Sequence, residues 1–146
     1  MNLPDEQGRL DGTLHTHKDL DAEQCWELLQ SRNTGRLGYE HEGRILIFPV
    51  NYMIHDAAIY FRTASKGAIG TATPRTSVSF EIDKANPERS GGWAVLASGP
   101  ASQVTDPDLL KFLWGRIMPE PWGAGHRDLF ICVTPTIITG RSVFLS

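Results

Sequence analysis

Arg62, Thr63, Ser65 and Lys66 stand within five positions, where the segment AIYFRT gives way to KGAIGTA. Two cations and two hydroxyls this close are the donor set of an anion site. An Arg fork grips two oxygens, a Lys adds a point charge, and hydroxyls fill the remaining acceptors. Alternation along AIYFRT puts Ile59, Phe61 and Thr63 on one face and Tyr60 and Arg62 on the other, so Arg62 leaves the core. If a helix begins near Lys66, its first N–H groups lie beside the hydroxyls, and together they would hold a phosphate. KGAIGTA matches neither a Walker A loop nor GxGxxG, which disfavours a nucleoside-triphosphate or Rossmann site. The same residues also have a plainer reading, in which Ser65 caps a helix and the two cations are surface charge.

The other chemistry-bearing residues offer less. Cys25 and Cys132 are too few for a disulfide framework and have no partners at zinc-ligand spacing, so both read as buried free thiols. His15, His17, His41, His55 and His126 are scattered, and the His15/His17 pair lacks a third ligand; no metal site is expected. No side-chain nucleophile or acid–base pair stands out, so no catalytic residue is assigned. A chain of 146 residues that is 40% hydrophobic fits one domain with a real core. A net charge of −3 gives no general attraction to nucleic acid. The N-terminus has no signal-peptide pattern, and no apolar run approaches the ~20 residues of a membrane span, so the chain is expected in the cytoplasm.

The elements that must position these residues read in order. Residues 1–18 are polar and aperiodic and are expected as a flexible N-terminal arm, with 19–146 forming a single domain. Asp21 with Gln24 opens a helix that puts Ala22, Cys25, Trp26 and Leu29 on one face, with Gly35 as its stop. RLGYEHEGRILIFPVNYMIHDAAIYFRT reads as three antiparallel strands joined at Glu42-Gly43 and His55-Asp56. Pro49 removes a ladder donor, so its strand should be an edge, a bulge or a place where the sheet opens. A short helix at about 66–73 follows, then the strand TSVSFEID and the strand WAVLASGPASQV with a bend at Gly99-Pro100. Asp106 and Pro107 open a helix carrying Leu109, Leu110, Leu113, Trp114 and Ile117 on one stripe, and a last strand kinks at Pro135. Six mostly antiparallel strands with three peripheral helices are too many for an open one-sided sheet at this length. Closing the sheet removes its edges, so the fold class is α+β, mainly β, with a small antiparallel barrel.

GRLGYEHEGRILIFPVNYMIHDAAIYFRTASKGAIG, followed by VSFEID, GGWAVLASGPASQVTDP and IITGR, resembles the pyridoxamine 5′-phosphate oxidase-like split-barrel flavoproteins. Within them it looks closest to the subgroup of nitroimidazole-resistance (Nim-type) and actinobacterial flavin reductase-like members. The resemblance runs from about residue 20 to residue 143. It implies a six-stranded split β-barrel, a homodimer, and FMN in clefts between the subunits. It makes Arg62, Thr63 and Lys66 the phosphate ligands, with Ser65 assisting, and runs Pro49, Val50 and Asn51 along the polar edge of the isoalloxazine ring. Tyr52 either borders the ring or packs in the barrel. Trp93 walls the ring or fills the core. Trp122, in PEPWGAG, closes the cleft from the other subunit or packs its own loop.

Two departures bear on activity. Members that oxidise pyridoxamine phosphate carry a glutamine where this chain aligns Ala94, and a C-terminal segment whose Arg and His hold the substrate. Here the chain has Ala94 and ends at Ser146, so that activity is not expected. The function implied is an FMN-dependent oxidoreductase passing electrons or hydride from a reduced nicotinamide donor to a small planar acceptor such as a quinone or nitroaromatic, with the cofactor carrying the chemistry. Three alternatives stay open: a deazaflavin-dependent reductase on the same barrel, a non-catalytic flavin- or haem-binding module, and a cofactor-free interaction barrel.

Overall fold

The computed structural model describes residues 9–10, 13–64, 67–71, 73–86, 88, 91–117 and 129–145. Its strands are β1 (Arg9–Leu10), β2 (Thr13–Leu20), β3 (Thr34–His41), β4 (Arg44–His55), β5 (Ala58–Thr63), β6 (Arg75–Asn86), β7 (Gly91–Gln103), β8 (Leu129–Val133) and β9 (Ile137–Leu145); its helices are α1 (Ala22–Gln30), α2 (Ala68–Thr71) and α3 (Pro107–Leu113).

The meander β3–β4–β5 forms as the sequence predicts, because each hairpin has a two-residue turn that matches strand twist. Glu42 and Gly43 have φ of 52° and 77°, and Asp56 and Ala57 have φ of 53° and 58°. Positive φ at both central positions is the type I′ pattern. The second turn therefore falls one residue later than expected, on Asp56-Ala57, which has no glycine to mark it.

Strands β7, β6, β3, β4, β5 and β8 pair in that order, and β8 pairs back on β7, closing a six-stranded antiparallel barrel. One edge of β7 is shared end to end, residues 92–98 with β9 and 101–103 with β8. The chain crosses from β8 to β9 over Gly99, with Thr134 N–H donating to Pro100 O at 3.1 Å and Thr136 N–H to Ser98 O at 2.8 Å. A Cβ on Gly99 would collide with the carbonyl oxygen of Thr134, so only glycine permits this approach. The expected kink at Pro135 is thus a break that divides the last strand in two.

Residues 13–18 depart from the expected loose arm. They run in β2, which pairs antiparallel with β9 from His15↔Leu145 to Leu20↔Gly140. Their polarity suits a strand at the margin of the sheet, and the partner that orders them lies at the far end of the sequence.

Two apolar clusters hold the molecule. Inside the barrel, Leu37, Ile59, Phe61, Phe80, Val95, Ile131 and Val133 are fully buried. Outside it, Tyr60 and Phe130 pack under Leu113 and Ile117. Helix α1 is fixed by a capping box, Gln24 N–H to Asp21 Oδ1 at 2.8 Å and Asp21 N–H to Gln24 Oε1 at 3.0 Å. Helix α3 opens as predicted, with Leu109 N–H donating to Asp106 Oδ2 at 3.0 Å. It ends earlier than its apolar stripe suggests. Trp114 (φ −62°, ψ 123°) and Gly115 (φ 85°) form the corner of a type II turn closed by Arg116 N–H to Leu113 O at 3.0 Å. Among the described residues no helix is long and apolar enough to cross a membrane.

Candidate functional site

Among the described residues, the β4–β5 ladder stops at a place that brings Pro49, Asn51, Arg62 and Thr63 together. The β4–β5 ladder runs from His55↔Ala58 to Tyr52↔Phe61 and stops. Beyond it β4 continues beside β3 through Asn51, Val50 and Pro49, while β5 continues beside β8 through Arg62 and Thr63. The two strands therefore part as a fork with Pro49 to Asn51 on one arm and Arg62 and Thr63 on the other.

Hydrogen-bond alternation decides which groups face into the fork. Tyr52 N–H donates toward β3, to Asn33 O at 3.0 Å. Even-numbered residues of β4 thus turn their main-chain groups to β3, and odd-numbered ones turn theirs away from it. Pro49 and Asn51 address the fork. The missing N–H of Pro49 costs β3 nothing, which is why a proline is tolerated inside a paired strand. Val50 behaves differently from its neighbours: its side chain is buried and its main-chain groups face Gly35.

Tyr52 takes the packing role. It is buried edge-on against Phe80, with ring centroids 4.7 Å apart, and its hydroxyl donates to Leu29 O at 2.5 Å. Burial pushes its phenol well above its ordinary pKa, so it stays protonated at neutral pH. The hydroxyl ties β4 to the C-terminal end of α1.

Arg62 leaves the barrel core as alternation requires, but it is not simply solvated. Its guanidinium lies 4.7 Å from the Trp114 ring centroid and 5.2 Å from that of Phe130, and Nη1 donates to Ile117 O at 3.3 Å. Two ring contacts and a bond to a main-chain carbonyl hold the Arg62 guanidinium from the α3 side. Thr63 ends β5 beside it. Helix α2 begins at Ala68, two residues later than expected, and has four residues. So short a helix adds little dipole to the end of β5. Ser65, Lys66 and Trp122 lie outside the described residues.

The β3 side of the fork is polar. Thr34 Oγ1 donates to Asn51 Oδ1 at 3.0 Å. Arg36, opposite Pro49, bonds Glu81 at 3.1 Å and Asp83 at 2.8 Å. Burial, and then Asp83 beside it, pushes Glu81 up to about 6, while hydrogen bonds from Glu81 and Arg36 hold Asp83 below its ordinary value. Trp93 is half-buried against the core, with the Arg32 guanidinium 5.3 Å from its ring centroid. Sequence reading missed Arg32, Thr34 and Arg36, which carry no motif. It also placed Trp114 on a buried stripe, although Trp114-Gly115 is a recognisable type II turn pair. Among the described residues no group of three His, Cys, Asp or Glu is placed to hold a metal ion.

A sequence profile described as pyridoxamine 5′-phosphate oxidase matches residues 21–142. The chain is 28% identical over 127 residues to an uncharacterized protein of Mycobacterium tuberculosis, covering 84% of this chain and 82% of that one. It is similar to the FAD-binding protein of Mycobacterium smegmatis, at 29% identity and a TM-score of 0.67 over 87% of this chain and 98% of the other. An FAD-binding protein from Mesorhizobium loti shares the fold, with a TM-score of 0.73 at 22% identity over 88% of this chain and 98% of that one.

Proposed function

The chain belongs to the pyridoxamine 5′-phosphate oxidase family, and on that premise we propose that it is a flavin-dependent oxidoreductase that binds the FMN unit at the β4–β5 fork. The observation that carries the proposal is the fork itself. Two strands part inside the matched region, one bearing Pro49 and Asn51 and the other Arg62 and Thr63. These residues fit a flavin. A fixed guanidinium and a hydroxyl at the end of a strand suit a phosphate, and the main-chain carbonyls of Pro49 and Asn51 with the N–H of Asn51 suit the polar rim of a planar ring. Ser65 and Lys66 follow Thr63 after Ala64 in sequence and complete the phosphate set in this proposal. Trp93, and Trp122 of the other subunit, wall the ring.

When bound, a flavin supplies hydride and electron transfer between a reduced nicotinamide donor and a small planar acceptor, a quinone or nitroaromatic. The chain's own residues bind, orient and exclude water. Arg62 and Thr63 anchor the phosphate, the main chain of Pro49 and Asn51 fixes the ring, and Asn51 is itself held by Thr34. No described side chain is assigned a proton transfer.

The same reading makes the active form a cytoplasmic homodimer with the cofactor between subunits. Its support is the outer face of the sheet. Register places Ile47, Gly38, Ser79, Ser98 and Ile137 in one row across five strands. Ile47 and Ile137 are 66% and 63% exposed at its ends, with only small residues between them. A row of small residues with an exposed isoleucine at each end, beside the cofactor cleft, suits a second copy. Absorbance after incubation with FMN and gel filtration tests the cofactor: bands near ~375 and ~450 nm that persist support it, and a colourless protein overturns it. Sedimentation of wild type and Ile47→Asp tests the dimer, which the charge should split.

A further inference from the structure

We propose that Trp114 is a stacking platform for the adenine ring of FAD, so that the fork holds the FMN unit and the α3 turn holds the adenine. This rests on the flavin reading above and decides between the mononucleotide and the dinucleotide. Trp114 is 60% exposed and is the most exposed aromatic among the described residues. Its position at the corner of the type II turn accounts for the exposure but not for the choice of an indole, since that corner accepts most residues. The indole is nonetheless held firmly. The main-chain N–H of Trp114 donates to Leu110 O at 3.0 Å, and Arg116 N–H closes the turn on Leu113 O at 3.0 Å, which fixes the backbone that carries the ring. The Arg62 guanidinium sits 4.7 Å from the indole ring centroid, and the Phe130 ring 6.0 Å away, tilted by 56°.

An indole with one side against Arg62 and more than half of its surface in water presents a rigid aromatic face, and rigidity lowers the entropic cost of stacking a second ring on it. The link to the fork is Arg62. The guanidinium that meets the phosphate in this proposal lies 4.7 Å from the indole centroid, which puts Trp114 within reach of a group extending from that phosphate. FMN ends at its phosphate and does not reach the indole; FAD continues through a second phosphate and a ribose to a neutral purine, which stacks on any aromatic face.

The test is the pair of dissociation constants for FMN and FAD, measured by flavin fluorescence on wild type, Trp114→Ala and Trp114→Phe. Stacking of one base is worth about tenfold in affinity. Wild type should therefore hold FAD about tenfold more tightly than FMN. Trp114→Ala should weaken FAD about tenfold more than FMN, with any loss common to the two flavins reporting the released Arg62 guanidinium, and Trp114→Phe should restore most of the difference. Equal constants in wild type would overturn the inference, and that comparison stands even if the alanine variant does not fold. Equal losses of both flavins in Trp114→Ala would also overturn it. A nicotinamide dinucleotide carries the same adenine: if Trp114→Ala left both flavin constants alone and raised only the KM for NADPH, the platform would belong to the donor and the FAD assignment would fail. Retention of FMN without an advantage for FAD removes only this inference, whereas a wild type that retains neither flavin removes the flavin reading with it.

Discussion

The two faces of β5 are built on opposite rules. Inward, Ile59 and Phe61 are completely buried among Leu37, Phe80 and Ile131, and the one polar residue of that face, Thr63, stands at the strand's end. Outward, Tyr60 and Arg62 lie under a helix of seven residues and its turn, where an arginine is stacked on rings and bonded to a main-chain carbonyl. One six-residue strand thus serves closure on one side and, in the proposed function, recognition on the other. Period-2 alternation is what lets both coexist, since neither set of side chains intrudes on the other.

The largest effect should come from breaking the inner face. Phe61→Ala should cost about 3–5 kcal/mol, because a rigid barrel collapses poorly onto the void. For a chain of this size that is a fall of roughly 10 °C in Tm by circular dichroism. The outer face should answer in the other observable. Arg62→Ala should weaken flavin retention by at least about tenfold through lost charge-assisted bonds, while Tm moves only a few degrees. A variant that lost stability and flavin together would show that the two faces are not separable. At the start of β5, Ala57 holds φ of 58°, which costs an L-residue; Ala57→Gly should add about 0.5–1 kcal/mol in urea unfolding and leave flavin binding unchanged.

The smallest effect concerns pH. Burial raises Glu81 from an ordinary 4.5 to about 6. Between those values the folded chain keeps a proton that the unfolded chain releases, so stability falls as pH rises through the window. Asp83, lowered from 3.8, acts in the opposite sense and below that window, losing stability as pH falls. Glu81→Gln should flatten the 4.5–6 segment of a pH–Tm curve. With Glu81 about one-third exposed, the change should amount to a few tenths of a kcal/mol.

Much of the frame was legible because it is written locally. Asp21 with Gln24, Asp106 with Pro107, and Glu42-Gly43 each declare an element within four residues, and the structure uses all three. Pro49 declared an opening of the sheet, and alternation sent Arg62 out of the core. What escaped was set by distance or by competing local rules. β2 looked like a polar arm because its order comes from β9. Trp114 continued a helical stripe that Gly115 had already ended. The Arg36–Glu81–Asp83 group joins two strands whose register no motif reports.

The pairing of β2 with β9 also sets an order of assembly. β3, β4 and β5 meet through two-residue turns and can zip within microseconds of collapse. β2 must wait for a partner some 120 positions further along, the widest loop closure in the fold. Until β9 arrives, residues 92–98 of β7 present an unpaired edge, so the nascent chain is most exposed to wrong partners just before its last strand emerges.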